Sequence, residues 1–477
     1  KDAAALLRAK ERRKERDARS AVRSGFRNLS AGGANVPILT GTMKNLVILA
    51  RFQDQTTTYS QAQFDSLFNE VGYSSDSAVG SVKDFYKEIS YNALTVQTTV
   101  SQWITLPHPF AYYGTNVGGL DDKPREMVLD AIHALDLDGF DFSAADGNAD
   151  GEVDGLSIIH SGRGEESNPA KTGYIWSHQW ALSVSTTVDG VTMQSYHTEP
   201  EVRGSDTEIS SKIARIGVIC HETGHFLGLP DLYDTTYASS GAGEFCLMAS
   251  GSWNGTSPGE GNAPAHMSAW CKKYLGWATP QQISFSGAYS LRRIEDNPTA
   301  IYLMRGSGFQ DTEYFLMENR QGFGFDAWLP GVTRGSLIWH IDESKLWNGN
   351  NDDPAHYLVD LMEAGGTQNL EQAPYVGGDD ADYFRLGNNT VFDDASVPSG
   401  RSYTGRNLGL AVRNISASGD PMTFSLLGHS SSDPLPVAYP LPWKPGSGGS
   451  HDAPGMTFSN VLDDAEVKIY NIAGERV

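Results

Sequence analysis

Two apolar periods alternate along the first two-thirds of the chain. Leu46-Val-Ile-Leu-Ala-Arg-Phe52 is an unbroken apolar run of strand length and predicts a buried strand. Ser60 to Val71 reads as a helix, and Ser81 to Ile89 is amphipathic at helical spacing. Asn92 to Trp103 alternates like a strand. Lys123 to Leu135 predicts another helix, followed by an acidic loop and the strand Gly155 to His160. Ile209 to Leu229 predicts a further helix. Strands and helices in turn make residues 44–280 a mixed α/β unit. After Trp277 the texture changes to short alternating runs separated by turn residues: Ala300–Met304, Tyr314–Glu318, Ser336–Ile341, Tyr357–Leu361, Leu410–Ile415 and Met422–Leu427. That pattern predicts an antiparallel, β-sandwich-like domain over residues 281–428. The fold class expected is therefore α+β.

The ends differ in composition from this body. Residues 1–43 open with a basic stretch, ten Lys and Arg against four Asp and Glu in residues 1–28, and continue as a Gly- and Ala-containing linker. They read as a solvated helical pro-segment remnant. Residues 429–456 are rich in Ser, Pro and Gly and read as a linker. Residues 457–477 alternate like a strand and read as the start of a small truncated domain. The chain begins at Lys1 without Met, which fits a processed or a partial sequence.

Net charge is −22, and outside the basic start it is more negative still. A surface this acidic repels nucleic acid and anionic membrane. No run approaches the roughly 18 apolar residues of a spanning helix. The three cysteines, Cys220, Cys246 and Cys271, form no CxxC pair, which argues against a thiolate metal site.

The chemistry is concentrated in His221-Glu-Thr-Gly-His-Phe-Leu-Gly-Leu-Pro-Asp231. Residues four apart share a helix face, so His221 and His225 point the same way and can reach one Zn²⁺. Glu222 falls beside the metal and is placed to take a proton from a zinc-activated water. Gly228 tolerates the positive φ needed to leave the helix, and Pro230 cannot continue it. The turn brings back Asp231 as the third ligand, with Asp234 as the alternative. Met248, in a small-residue turn further on, is suited to form a polarisable floor under the imidazoles. Gly224 costs a helix interior about 1 kcal/mol unless close packing demands it.

The stretch Gly217 to Asp234 resembles the immune inhibitor A type of secreted bacterial metalloprotease. So do Ser81 to Tyr91, Leu106-Pro-His-Pro-Phe-Ala-Tyr-Tyr-Gly114, Ala265 to Trp270 and Leu275-Gly-Trp277. The resemblance runs from about residue 44 to 427. It implies a metzincin-like catalytic domain with the motif HExxHxxGxxD, in which His221, His225 and Asp231 hold zinc, Glu222 is the general base and Met248 is the Met-turn residue. It further implies a secreted zinc endopeptidase acting on protein or peptide substrates, made as a zymogen. Residues 457–477 resemble the start of an immunoglobulin-like sorting tail, which places the protein outside a bacterial cell or on its surface. A monomer is expected. The oxyanion donor is left open among Tyr233, Tyr237 and His266.

Secondary features carry weaker expectations. Asp146, Asn148, Asp150 and Glu152 place oxygen side chains at alternate positions, as in the first half of a calcium loop, but the twelfth-position Glu of an EF-hand is missing. A structural Ca²⁺ is expected there. His340 reads as a structural histidine. A Cys220–Cys246 disulfide is favoured over Cys246–Cys271. The competing reading from another class is a surface adhesin that keeps a pseudo-enzyme domain; the combination of Glu222 with a full ligand set argues against it.

Overall fold

The computed structural model describes residues 39–114, 123–168, 173–208, 212–257 and 260–428, and beyond them only 437–439, 446 and 457–459. The expected pro-segment (all but its last few residues) and most of the expected tail lie outside the described residues.

The first sheet holds β1 (Gly41–Arg51), β2 (Leu94–Thr105), β3 (Gly155–Arg163), β4 (His178–Val188) and β5 (Val191–Arg203), in the order β2-β1-β3-β5-β4. β1 runs parallel to β2 and β3, and β3 parallel to β5; the edge strand β4 is antiparallel to β5. The apolar run of β1 follows from burial on both faces. Leu46, Ile48, Ala50 and Phe52 join one apolar cluster, while Val47 and Leu49 join another.

Helices α1 (Gln61–Asn69) and α2 (Val82–Ile89) start at capping boxes, Ser60 with Gln63 and Ser81 with Asp84. α2 buries Val82, Phe85, Tyr86 and Ile89, the stripe its periodicity predicts. α3 (Lys123–Leu137) packs on the other face of the sheet. The helix expected over 209–229 is shorter: α4 spans Ile216–Phe226. Lys212–Ile213 is taken instead by a short strand, β6, which pairs with β5.

The β4–β5 hairpin is not expected from hydrophobic periodicity. Its turn is Asp189-Gly190, with φ of 49° and 82°. Two consecutive positive φ angles are what a tight hairpin turn demands, and Asp-Gly is a residue pair that supplies them. That dipeptide was the available signal.

After α5 (Ala269–Tyr274), the β-rich region contains β7 (Gln281–Gln282), β8 (Gly287–Leu291), β9 (Ile301–Met304), β10 (Glu313–Arg320), β11 (Gly335–Asp342), β12 (Val359–Leu361), β13 (Ala411–Arg413) and β14 (Met422–Leu427). They form a five-stranded sheet, β12-β11-β10-β9-β7, and a three-stranded sheet, β13-β14-β8. β7 and β8 are the strands the alternation does not predict. One apolar cluster runs from Met43 through Cys246 and Met248 to Trp339 and Leu426, so no break in the core separates the two regions near residue 280. Val437–Tyr439, inside the segment expected as linker, pairs antiparallel with Thr457–Ser459. No helix among the described residues is long and apolar enough to cross a membrane.

Candidate metal centre

α4 is buried on nearly every side; Val218 is its one half-buried residue. No side chain caps its first turn. The Gly261 carbonyl accepts the Gly217 N–H instead, at 3.0 Å. After Phe226 the chain turns at Gly228, whose φ of +90° only glycine adopts freely. Leu229 N–H then bonds back to the Gly224 carbonyl (3.2 Å), and Leu232 N–H to the Met248 carbonyl (2.7 Å). These bonds carry Asp231 back under the helix end.

The result is a buried cluster of His221, His225 and Asp231, whose ligand atoms lie within 4.8 Å of one another. Asp231 Oδ1 is 3.1 Å from His221 Nε2 and 3.3 Å from His225 Nε2. The other nitrogen of each ring faces a backbone carbonyl: His221 Nδ1 meets Leu247 O at 2.9 Å, and His225 Nδ1 meets Leu229 O at 2.8 Å. A carbonyl only accepts, so each Nδ1 must carry a hydrogen. In the neutral rings both Nε2 lone pairs then converge on the Asp231 carboxylate. Acceptors facing acceptors in a buried site need positive charge between them, which a proton or a metal ion supplies, and two imidazole nitrogens with one carboxylate oxygen are a donor set suited to Zn²⁺. The same demand for positive charge shows in the His221 ring without metal. Burial by itself pushes the His221 imidazole down, but the Asp231 and Glu222 carboxylates and the Leu247 carbonyl reverse it and raise it to about 9.

Glu222 lies beside the cluster, its carboxylate 3.8 Å from His225 Nε2. Asp234, the alternative third ligand, is committed elsewhere: it accepts the Thr236 and Ala238 N–H groups and the Ser239 hydroxyl. Met248 packs against α4 at Gly224, where an added Cβ would stand 2.6 Å from Met248 Sδ. This explains a glycine inside the helix. Of the oxyanion candidates, Tyr233 lies against the site, its ring 6.1 Å from that of His221. Tyr237 stacks on Tyr375, and His266 is fully buried between Glu88 and Lys272.

A cavity of about 360 Å³ opens at the start of α4, lined in part by Glu166, Glu199, Arg203, Arg215, Val218 and Trp253; His221, Glu222, His225 and Asp231 are not among its lining residues.

Three secondary expectations meet the structure differently. In the 146–152 loop the carboxylates are spent on the loop itself: Asp146 accepts the Asp150 and Gly151 N–H groups, Asn148 the Asp150 N–H, and Asp150 the Glu152 N–H. Glu152 accepts the Gln194 amide. That geometry gives calcium no support. The favoured Cys220–Cys246 disulfide is replaced by three buried free thiols. Cys246 Sγ instead faces Cys271 Sγ at 4.0 Å, because the Ser268 N–H bonds Cys246 Sγ (3.4 Å) and α5 begins there. His340 is structural: it bonds Glu313 and is stacked between Phe315 and Tyr403. The Leu229 and Leu247 carbonyls, which fix the ring tautomers, carry no sequence signal.

Residues 43–279 match the immune inhibitor A peptidase M6 catalytic domain. Immune inhibitor A of Bacillus thuringiensis subsp. alesti is 36% identical over 204 residues, 38% of this chain and 29% of that protein. The pre-pro-metalloprotease PrtV of Vibrio cholerae serotype O1 is 30% identical over 277 residues, 50% of this chain and 28% of that protein. The chain thus spans under a third of the length of these curated relatives.

Proposed function

We propose that this chain, whose residues 43–279 belong to the immune inhibitor A peptidase M6 family, is a zinc-dependent endopeptidase. One observation carries the reading: two imidazole nitrogens and a carboxylate oxygen converge in a buried site with a second carboxylate, Glu222, alongside. His221, His225 and Asp231 would hold the ion. Bound there, zinc supplies Lewis acidity that polarises a peptide carbonyl and activates water. Glu222 takes the proton of the attacking water as the C–O bond forms, then delivers it to the amine nitrogen as the C–N bond breaks. Tyr233, whose ring lies 6.1 Å from that of His221, is our candidate donor to the developing oxyanion. The Leu229 and Leu247 carbonyls hold the rings in one tautomer.

The finer assignments rest on the same base. A metzincin-like catalytic domain over residues 44–280 is supported by the β2-β1-β3-β5-β4 order with an antiparallel edge strand, the returning Asp231 and Met248 packed on α4. Residues 281–428 are read as a β-rich part that shares its core. Export from a bacterial cell is supported by the acidic surface and the resemblance of the tail. Protein substrates are supported by the family.

The test is casein cleavage by the full chain and by a form lacking residues 1–38, each with and without a zinc chelator, beside Glu222→Ala. Zinc-restorable cleavage that Glu222→Ala abolishes is expected. No cleavage by either zinc-loaded form ends the endopeptidase reading.

A further inference from the structure

We infer that Asp326 and Arg320, in the β-rich region, are positioning residues for the metal centre, acting through the backbone of the Met248 turn. The proposal rests on the zinc reading above and names what holds its ligand His221 in place.

Both residues are fully buried. They lock together by a two-bond fork, Arg320 Nε to Asp326 Oδ2 and Arg320 Nη2 to Asp326 Oδ1, each 2.8 Å. A planar guanidinium matched to a carboxylate leaves neither free to swing. Arg320 Nη1 also donates to Glu318 Oε1 at 3.3 Å, and both residues reach the segments around Met248. Arg320 Nη1 donates to the Phe245 carbonyl at 3.1 Å, and Asp326 Oδ1 accepts the His266 N–H at 2.8 Å. The His266 carbonyl accepts the Leu247 N–H at 3.1 Å, and the Leu247 carbonyl accepts from His221 Nδ1 at 2.9 Å. Three hydrogen bonds therefore run in series from Asp326 through His266 and Leu247 to His221.

The His266 side chain is pinned as well. Lys272 ammonium donates to its Nδ1 (3.0 Å), so Nε2 carries the hydrogen given to Glu88 (2.8 Å). The middle link of the series is thus held by its backbone and by its ring. A buried ion pair is weak evidence for stability in itself. Here it sits where the β-rich region meets the strand of backbone that orients a metal ligand. The β-rich region then belongs to the active site and is not an appended module.

The experiment uses the full chain stripped of metal. Zn²⁺ affinity is read by competition with a chromophoric chelator, and the visible spectrum is read with Co²⁺ in place of zinc. Asp326→Asn keeps the volume and loses the charged fork. Glu295→Gln is the control: Glu295 is equally buried in the same cluster and 3.9 Å from Arg320, but bonds the Gln321 N–H and touches no part of the Met248 turn. Asp326→Asn is expected to weaken zinc binding roughly tenfold, shift the Co²⁺ spectrum, and lower kcat with KM unchanged; Glu295→Gln should leave all three as in wild type. The proposal is overturned if Asp326→Asn binds zinc with wild-type affinity and spectrum, or if Glu295→Gln loses as much. If Asp326→Asn does not fold, Asp326→Glu, which keeps the charge but displaces it by one methylene, is read against the same outcomes. A wild-type chain that binds no zinc defeats the metal-site reading itself, and the positioning role with it.

Discussion

Gly224→Ala is the most informative single substitution. Alanine is the better helix former by about 1 kcal/mol, so propensity alone predicts a more stable α4. The packing predicts the reverse. The new Cβ would stand 2.6 Å from Met248 Sδ, with Met248 Cε at 3.4 Å and Met267 Cε at 3.7 Å behind it. Non-bonded carbon contacts are comfortable at about 3.5–4.0 Å. Met248 must therefore retreat by about 1 Å, into neighbours that are themselves fully buried. Overpacking of this kind costs about 1–3 kcal/mol, which outweighs the propensity gain at most of that range. The expected net is a loss of about 1 kcal/mol with weaker zinc binding, because the same turn carries the Leu247 carbonyl on His221. Urea unfolding of wild type, Gly224→Ala, Met248→Ala and the double variant forms a cycle. Met248→Ala alone leaves a cavity and costs about 2–5 kcal/mol. The added Cβ partly fills that space, so the double variant should be more stable than the sum of the single losses by at least 1 kcal/mol. Additive losses, or a Gly224→Ala protein more stable than wild type with unchanged zinc affinity, would refute the argument.

Other outcomes are accessible with the same protein. Asp231→Asn should reduce zinc affinity at least tenfold, whereas Asp234→Asn should change it little and loosen only the 234–239 loop; equal effects in a chelator competition would show that the wrong carboxylate has been assigned. Saturation with metal at 1,000 times its Kd stabilises by about 4 kcal/mol, so chelation should lower the melting temperature by about 5 °C for a cooperative unit of this size, and His221→Ala should melt alike with or without chelator. Burial pushes the Asp382 carboxyl up to about 7; a raised carboxyl contributes full stability below the unfolded value near 4 and loses it as pH rises through 7. Asp382→Asn should therefore be more stable than wild type by about 2 kcal/mol at pH 8, roughly half of what such a shift is worth at full burial, and indistinguishable from it at pH 4. A difference independent of pH would contradict the cause. Thiol titration without reductant should find none of the three cysteines reactive in the native protein and all three reactive in denaturant; a single reactive thiol in denaturant would indicate a bridge.

Much of the site was legible because its chemistry is local. The four-residue spacing of His221 and His225 sets a shared helix face, and Gly228 with Pro230 sets the turn, whatever surrounds them. The buried strand at Leu46–Phe52, the amphipathic helix after Ser81 and most of the later β-strands follow from the same kind of short-range periodicity. The β4–β5 hairpin escaped because its turn, not its apolar pattern, carries the signal at Asp189-Gly190.

What only the tertiary structure decided involves groups far apart in sequence or without side-chain identity. Asp231 was separated from Asp234 by where the loop spends its backbone N–H groups. The cysteine nearest Cys246 depended on the approach of α5, 25 residues on. Gly224 became intelligible only when Met248 was seen to occupy its missing side chain. The tautomers of both histidines were set by backbone carbonyls, which every residue has and no sequence marks. Sequence by itself determined which residues could bind a metal and on which face. The packing of distant segments decided which of them converge, and what holds them there.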